Sequence, residues 1–387
     1  MNVINHKIIA IVGGGPGGLT LARLLQMKGA NVTVYERDLN KNARVQGNTL
    51  DLHEESGLEA LRQAGLMDAF NANYRPGAGR VRIIDKAATI RMDDHEDESY
   101  QETRPEIDRG PLRKVLLDSL QPGTVAWNCQ FVTMEPEGDG WNLQFKNGLN
   151  AYADLVIAAD GANSKIRPFI TGIKPFFAGV TMIEGSVYNA ETNSPKIHTL
   201  LKGGKIFALG DEKSLMAGAK GDGSFAFCTG CKTTEQWVAE SGIDFNNKTQ
   251  VVNWFKKEFA EWDEVWSEMF ENAEPYFIPR AQYCMPLDQY WDALPNATML
   301  GDAAHLMPPY AGEGANMAML DALELSVCLT DDTFNNVQAA LAHYEHDMRK
   351  RAANAAKETL ESTEMLHSKD AIDSLIAMFS QFENAGK

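Results

Sequence analysis

Six consecutive residues, Gly13-Gly14-Gly15-Pro16-Gly17-Gly18, constrain this chain more than any other feature. Before them, Lys7–Gly13 (KIIAIVG) is a short apolar run stopped by glycine, the pattern of a strand buried in a parallel sheet. After them, Gly17–Lys28 has helical composition, with Leu21, Leu24 and Leu25 on one side and Gly29 as its stop. Asn31–Glu36 (NVTVYE) is a second, β-branched strand. The whole is a βαβ unit, and Gly13, Gly15 and Gly18 fit G-x-G-x-x-G. The first glycine allows the tight turn, the second lets a pyrophosphate approach the backbone, and the third lets helix and strand pack closely. The helix start offers its positive end to phosphates. Glu36 ends the second strand, where an acid accepts hydrogen bonds from ribose hydroxyls. The pattern predicts dinucleotide binding and leaves open whether the dinucleotide is a flavin or a nicotinamide.

A chain of 387 residues predicts two or three domains. Its formal charge of −17 makes nucleic acid and anionic membranes poor partners. An anionic cofactor must then be held by local arginines and backbone amides. Arg37, Arg44, Arg109 and Arg113 all fall on or beside the expected cofactor loops. No run reaches the ~18 apolar residues of a membrane span. The apolar start ends at once in glycines, unlike a signal peptide. The cysteines 129, 228, 231, 284 and 328 are odd in number and scattered, which predicts reduced thiols and a cytoplasmic location.

Two later motifs favour a flavin. Asp154–Ala159 (DLVIAA) is an apolar strand running into Asp160-Gly161-Ala-Asn-Ser164-Lys-Ile-Arg167. Thr298–Leu300 is another, leading into Gly301-Asp302, the turn Pro308-Pro309-Tyr310, and Gly312-Glu313-Gly314-Ala315-Asn316. Such a turn can set Asp302 on a ribityl hydroxyl and aim the amides of Gly312–Ala315 at the flavin's electron-rich edge. Between about 173 and 262, short alternating runs and glycine turns predict a separate, mostly antiparallel sheet. Gly110–Leu120 and Phe334–His367 read as helices, and Ala371–Phe382 as a last amphipathic segment. The acidic run 93–98 with His95 reads as a solvated loop rather than a metal site.

At these residues the chain resembles the class A, para-hydroxybenzoate hydroxylase-like FAD monooxygenases. Their glycine fingerprint, DG motif and GD motif stand here in order at Gly13–Gly18, Asp160–Arg167 and Gly301–Pro309. Within that group it is most similar to the tetracycline-inactivating monooxygenases, through VYERD at 34–38, TLDLH at 49–53, PEIDR at 105–109 and GDAAHLMPPYAGEG at 301–314. The resemblance implies an α/β fold. Its parts would be a discontinuous Rossmann-like FAD domain (1–66, 98–172, 264–318), a smaller antiparallel-sheet substrate domain (67–97, 173–263) and a long C-terminal helical region (319–387) that bridges them. It implies that Glu36 binds the adenosine ribose, Arg109 the ribityl or pyrophosphate, and Asp302 the ribityl chain. Pro309, Gly312, Glu313, Gly314 and Ala315 would border the isoalloxazine ring. Arg44 and Asp51 would lie near the flavin, with Arg44 meeting NADPH. NADPH would reduce FAD, and a C4a-hydroperoxyflavin formed with O2 would hydroxylate an electron-rich enol or phenol carbon.

The resemblance also locates departures. Glu184, Lys205, Met216 and Ala226 stand where the destructases carry glutamine, arginine, phenylalanine and histidine, and Tyr310 replaces a phenylalanine. Lysine keeps a charge for an enolate but lacks arginine's bidentate fork. Glu313 stands where the wider group has glutamine, and a carboxylate beside a flavin opposes the reduced anion unless it is protonated or turned away. Three alternatives stay open: the same class acting on another aromatic or polyketide substrate, a flavoprotein dehydrogenase using Cys228-Thr-Gly-Cys231, and a non-catalytic, ligand-sequestering protein on a retained fold. The C-terminal helix, bridging two domains of one chain, points to a monomer.

Overall fold

The computed structural model describes residues 3–43, 49–98 and 100–385, with side chains through 380. Along the chain, β1 (Ile8–Val12), α1 (Pro16–Met27) and β2 (Asn31–Tyr35) form the opening βαβ unit. Then come β3 (Leu50–Asp51), the hairpin β4 (Val81–Asp85) and β5 (Ile90–Asp93), β6 (Glu106–Ile107), α2 (Arg109–Asp118) and β7 (Val125–Ala126). A meander follows, β8 (Phe131–Glu137), β9 (Gly140–Phe145) and β10 (Asn150–Ala153), leading into β11 (Leu155–Ala158). The middle holds β12 (Phe176–Val187), β13 (Lys205–Gly210), β14 (Lys213–Ala219), β15 (Phe225–Lys232), α3 (Lys248–Glu258) and β16 (Ile278–Cys284). Last are β17 (Ala297–Met299), α4 (Glu313–Thr330), α5 (Val337–Leu366) and α6 (Ala371–Ala385).

The first sheet has the order β17-β11-β1-β2-β7, and all its pairings are parallel. Its central strands are continuous apolar runs because both faces are covered, by α1 and α4 on one side and the meander on the other. α1 begins at Pro16, whose missing N–H costs nothing there, and ends as expected before Gly29 at φ +78°.

The second sheet has seven strands in the order β16-β12-β15-β14-β13-β4-β5. It is antiparallel except where β13 runs parallel to β4. One face is packed by an aromatic core that includes Phe227, Phe255, Phe270 and Phe277. Here the structure corrects one boundary. Residues 264–284 were expected with the nucleotide-binding part, yet Trp266 and Phe270 belong to this aromatic core and β16 pairs with β12. Stacking of Phe270 on Phe255 and on Phe277 ties the segment there. The chain rejoins the first sheet only at β17.

The acidic run is solvated only in part: Glu96 and Glu98 are exposed, but Asp93, Asp94 and His95 are folded in. Asp93 pairs with Arg82 at 2.9 Å, Asp94 accepts the Val81 N–H at 2.6 Å, and His95 is buried beside both. These carboxylates serve the β4–β5 hairpin. α5 packs on α4, and α6 covers β4 and β13, so the C-terminal helices touch both sheets. No helix among the described residues is long and apolar enough to cross a membrane.

Candidate active site

Four sequence motifs meet at the carboxyl edge of the first sheet. The glycine turn follows β1, Glu36 follows β2, Asp160 follows β11 and Asp302 follows β17. β1 lies between β2 and β11, so the chain switches direction across the sheet at this point, where open α/β sheets bind ligands. Gly13 has φ +116°, and a Cβ there would collide with the Ala159 carbonyl. A Cβ on Gly18 would collide with the Gly13 carbonyl, and one on Gly17 would sit 2.7 Å from Ala318 O of α4. Gly15 differs: a Cβ there meets nothing within 4 Å. Three glycines are thus spent on packing and one faces open space, a cradle of the kind a pyrophosphate needs. Glu36 is buried, accepting the Gly14 N–H at 2.6 Å and the Asp38 N–H at 2.9 Å.

The DG and GD loops are fastened together by Arg167. Its guanidinium donates to Ala303 O at 2.6 Å, Asp302 O at 2.8 Å and Ala162 O at 3.1 Å. Ser164 accepts the Arg167 N–H at 3.0 Å and so sets up this turn. Burial pushes the Asp302 carboxyl up, and His305, Arg109 and Arg167 pull it back. Asp160 is also raised by burial, and its Oδ1 is buried without a hydrogen-bond partner. A cradle open at Gly15 and two acids at the same edge fit a dinucleotide. Arg37 is exposed beside Glu36. Arg113 donates to Asp38 at 2.9 Å on that loop. Arg44 lies outside the described residues.

Behind Asp302, a buried ion network braces the GD motif. His305 Nε2 lies 2.5 Å from Asp321 Oδ2, which also accepts the Gly301 N–H at 2.8 Å. Arg351 of α5 donates to Asp321 Oδ1 at 2.7 Å and also pairs with Glu324.

At the start of α4, Gly314 faces Asp302 and Gly312 faces Asp51. Asn316 joins them: its Nδ2 donates to Asp51 O at 2.8 Å and its Oδ1 accepts the His53 N–H at 3.0 Å. His53, unassigned in the sequence although it ends TLDLH, lies between Asp51 Oδ2 (3.3 Å) and Glu313 Oε1 (3.5 Å). Burial opposes ionisation of Asp51, but the His53 hydrogen bond and the Lys205 charge hold it down at about 2. Burial lifts Glu313.

The second sheet presents its other face to this edge. Its register sets Phe207, Met216, Cys228 and Glu184 in one row and Lys205, Gly218, Ala226 and Ser186 in the next. Glu184, Lys205, Met216 and Ala226 therefore share a face, but the first three are already engaged. Glu184 pairs with Arg280 at 2.8 Å. Lys205 is clamped by the buried Glu106, a partner invisible in the sequence, with Asp51 adding to the attraction. Met216 and Tyr310 pack with Met378 of α6 in a small third core. The Tyr310 ring stands edge-on to His367 at 5.1 Å, and Ser214 donates to His367 Nε2 at 3.1 Å. Pro309 is exposed on the turn before them.

The cysteine pair is split. Cys231 faces the aromatic core, while Cys228 faces the opposite side with Met216 and Glu184. Burial pushes both thiols up to about 12. Thiols on opposite faces of one strand form no disulfide, and at these values neither is a nucleophile. Replacing both by serine is expected to leave flavin reduction and turnover unchanged. Loss of electron transfer in that double variant would restore the dehydrogenase alternative.

A parallel sheet with a glycine cradle, a DG loop and a GD loop at one edge, faced by a second sheet, defines an FAD-dependent monooxygenase fold. The chain belongs to the FAD binding domain family of para-hydroxybenzoate hydroxylase-like monooxygenases, whose sequence profile matches residues 6–267 and 296–359. Monooxygenase asqM of Emericella nidulans is 28% identical over 96% of this chain and 98% of its own length. HpxO of Klebsiella pneumoniae, solved with FAD and uric acid, superposes with a TM-score of 0.74 at 22% identity, covering 97% of this chain and 92% of its own. The tetracycline destructase Tet(51) superposes at 0.73 with 17% identity, covering 98% and 96%. The last two are likenesses of fold.

Proposed function

We propose that this chain uses NADPH and O2 to hydroxylate a polycyclic enol or phenol of the tetracycline type. The observation that carries the reading is the meeting of Asp302, Gly312–Gly314 and Asp51 with the Lys205 face of the second sheet. The first sheet would form the FAD part and the second the substrate part, with the C-terminal helices spanning them. Gly15 and the start of α1 would bind the pyrophosphate, Glu36 the ribose, and Asp302 with Arg109 the ribityl chain. When bound, FAD supplies hydride acceptance and oxygen activation. The protein's share is to position the substrate and exclude water. Lys205, once its clamp with Glu106 loosens, would offer its ammonium to an enolate oxygen of the substrate. Arg44 would meet NADPH.

A smaller aromatic substrate is the second reading. It is favoured by the filling of the space beside Met216 and Tyr310 by α6 and by the uric acid bound in HpxO. The test is incubation with FAD, NADPH and tetracycline in air, followed by mass spectrometry. A product one oxygen heavier that needs both NADPH and O2 is expected. A yellow protein that oxidises NADPH without altering tetracycline would decide for the second reading.

A further inference from the structure

The contacts of His53 pose a proton-counting problem. A neutral imidazole carries one N–H and one lone pair. Here Nε2 faces Asp51 and Nδ1 faces Glu313, both acceptors when ionised. With the ring buried, a lone pair against a carboxylate is unfavourable, so one further proton is required. Asp51 is not its home, being held ionised by Lys205 and His53. We propose that His53 and Glu313 share this proton, and that it neutralises the first residue of α4 so that a reduced, anionic flavin is tolerated beside it.

The inference rests on the reading that the start of α4 borders the isoalloxazine ring. It explains how glutamate can stand where the wider group has glutamine. The charged groups facing the pair are Asp51 of β3, Arg104 before β6 and Glu358 of α5, with Lys205 of β13 acting through Asp51. The balance is simple. A hydride donor gives two electrons and one proton to FAD, forming the anionic reduced flavin. The shared proton stays on the pair. Once alkali has removed that proton from the oxidised protein, reduction draws one back from solvent.

Two measurements test this. In the flavin-free protein at pH 7, ring 15N shifts of His53 should show no bare lone-pair nitrogen. In E313Q one nitrogen should revert to an acceptor. A bare lone pair in the wild type would overturn the shared proton. In the FAD-loaded protein, the wild-type midpoint potential should fall more steeply with pH above the release of this proton. The added slope is a tenfold change in equilibrium per pH unit, about 30 mV for two electrons. E313Q should lack it. Identical potential–pH curves, with both proteins binding FAD, would overturn the coupling to the flavin. Failure of the wild type to take up FAD would instead sink the placement of the cofactor, and the coupling with it, while the nitrogen shifts still decide the pair.

Discussion

Replacing Gly15 by glutamate is expected to give a chain that folds normally and no longer takes up FAD. The backbone at Gly15, φ −80° and ψ 179°, suits any residue, and an added Cβ meets nothing within 4 Å. Stability of the flavin-free chain should therefore change by less than ~0.5 kcal/mol. The new carboxylate, however, enters the space a pyrophosphate needs and repels it. A loss of ~100-fold or more in FAD affinity, roughly 3 kcal/mol, is expected. Titration followed by the visible flavin band, alongside thermal unfolding of the flavin-free protein, separates the two effects. Gly18→Ala cannot do so, because its methyl would strike the Gly13 carbonyl and damage the fold itself. A glutamate variant that binds FAD like the wild type would remove the pyrophosphate from this turn.

The second large effect is expected at Asp321. It is fully buried and binds His305, Arg351 and the Gly301 N–H at once. Asp321→Ala strands the buried His305 and takes from the partly buried Arg351 one of its two carboxylates, at an expected cost of about 3 kcal/mol in denaturant unfolding. Glu324→Ala, at the half-exposed end of the same network, should cost less than ~1 kcal/mol. Equal losses in the two variants would refute the network as a brace.

The network also sets a pH window. For Asp321, burial opposes the charge, but His305 and then Arg351 lower its value below the ordinary one. For His305, burial again opposes the charge, and Asp321 outweighs it and raises the value. The aspartate's share is complete above its unfolded value and lost as pH falls through its lowered folded value. The histidine's share is complete below its unfolded value and lost as pH rises through its raised folded value. The difference between wild type and Asp321→Ala should therefore be greatest between about pH 4 and 6.5.

The cofactor edge was legible in the sequence because it is written locally. A strand, a glycine turn and an acid at the next strand end dictate their own geometry, and Gly13–Gly18, Asp160 and Asp302 fall where that logic puts them. The DG and GD motifs could be read singly, but not the Arg167 guanidinium that laces one to the carbonyls of the other. The sheet face proposed for the substrate was legible only as a set of positions. Lys205 looked available because its partner, Glu106, is far away in sequence and reaches it only through the β3–β6 ribbon and the second sheet. His53 is a single residue after an alternating pair, and nothing local tells that Glu313 will meet its other nitrogen. β16 escaped because IPRAQYC combines a proline and an arginine with weak alternation, so its edge pairing with β12 left little trace.

The order of the first sheet carries a consequence for how the chain is born. β1 and β2 are synthesised close together, but β11, the second neighbour of β1, begins at Leu155, and β17 follows only at Ala297. At roughly 5–20 residues per second, the strand that completes the sheet trails the first by ~15–60 s. For about half of that interval, until β11 is made, the apolar run Ile8–Val12 has β2 on one side and an open edge on the other; thereafter β11 carries the open edge. The nascent chain must therefore be shielded until β17 has been made, and the loops proposed to cradle the nucleotide come together only after translation has passed the GD motif.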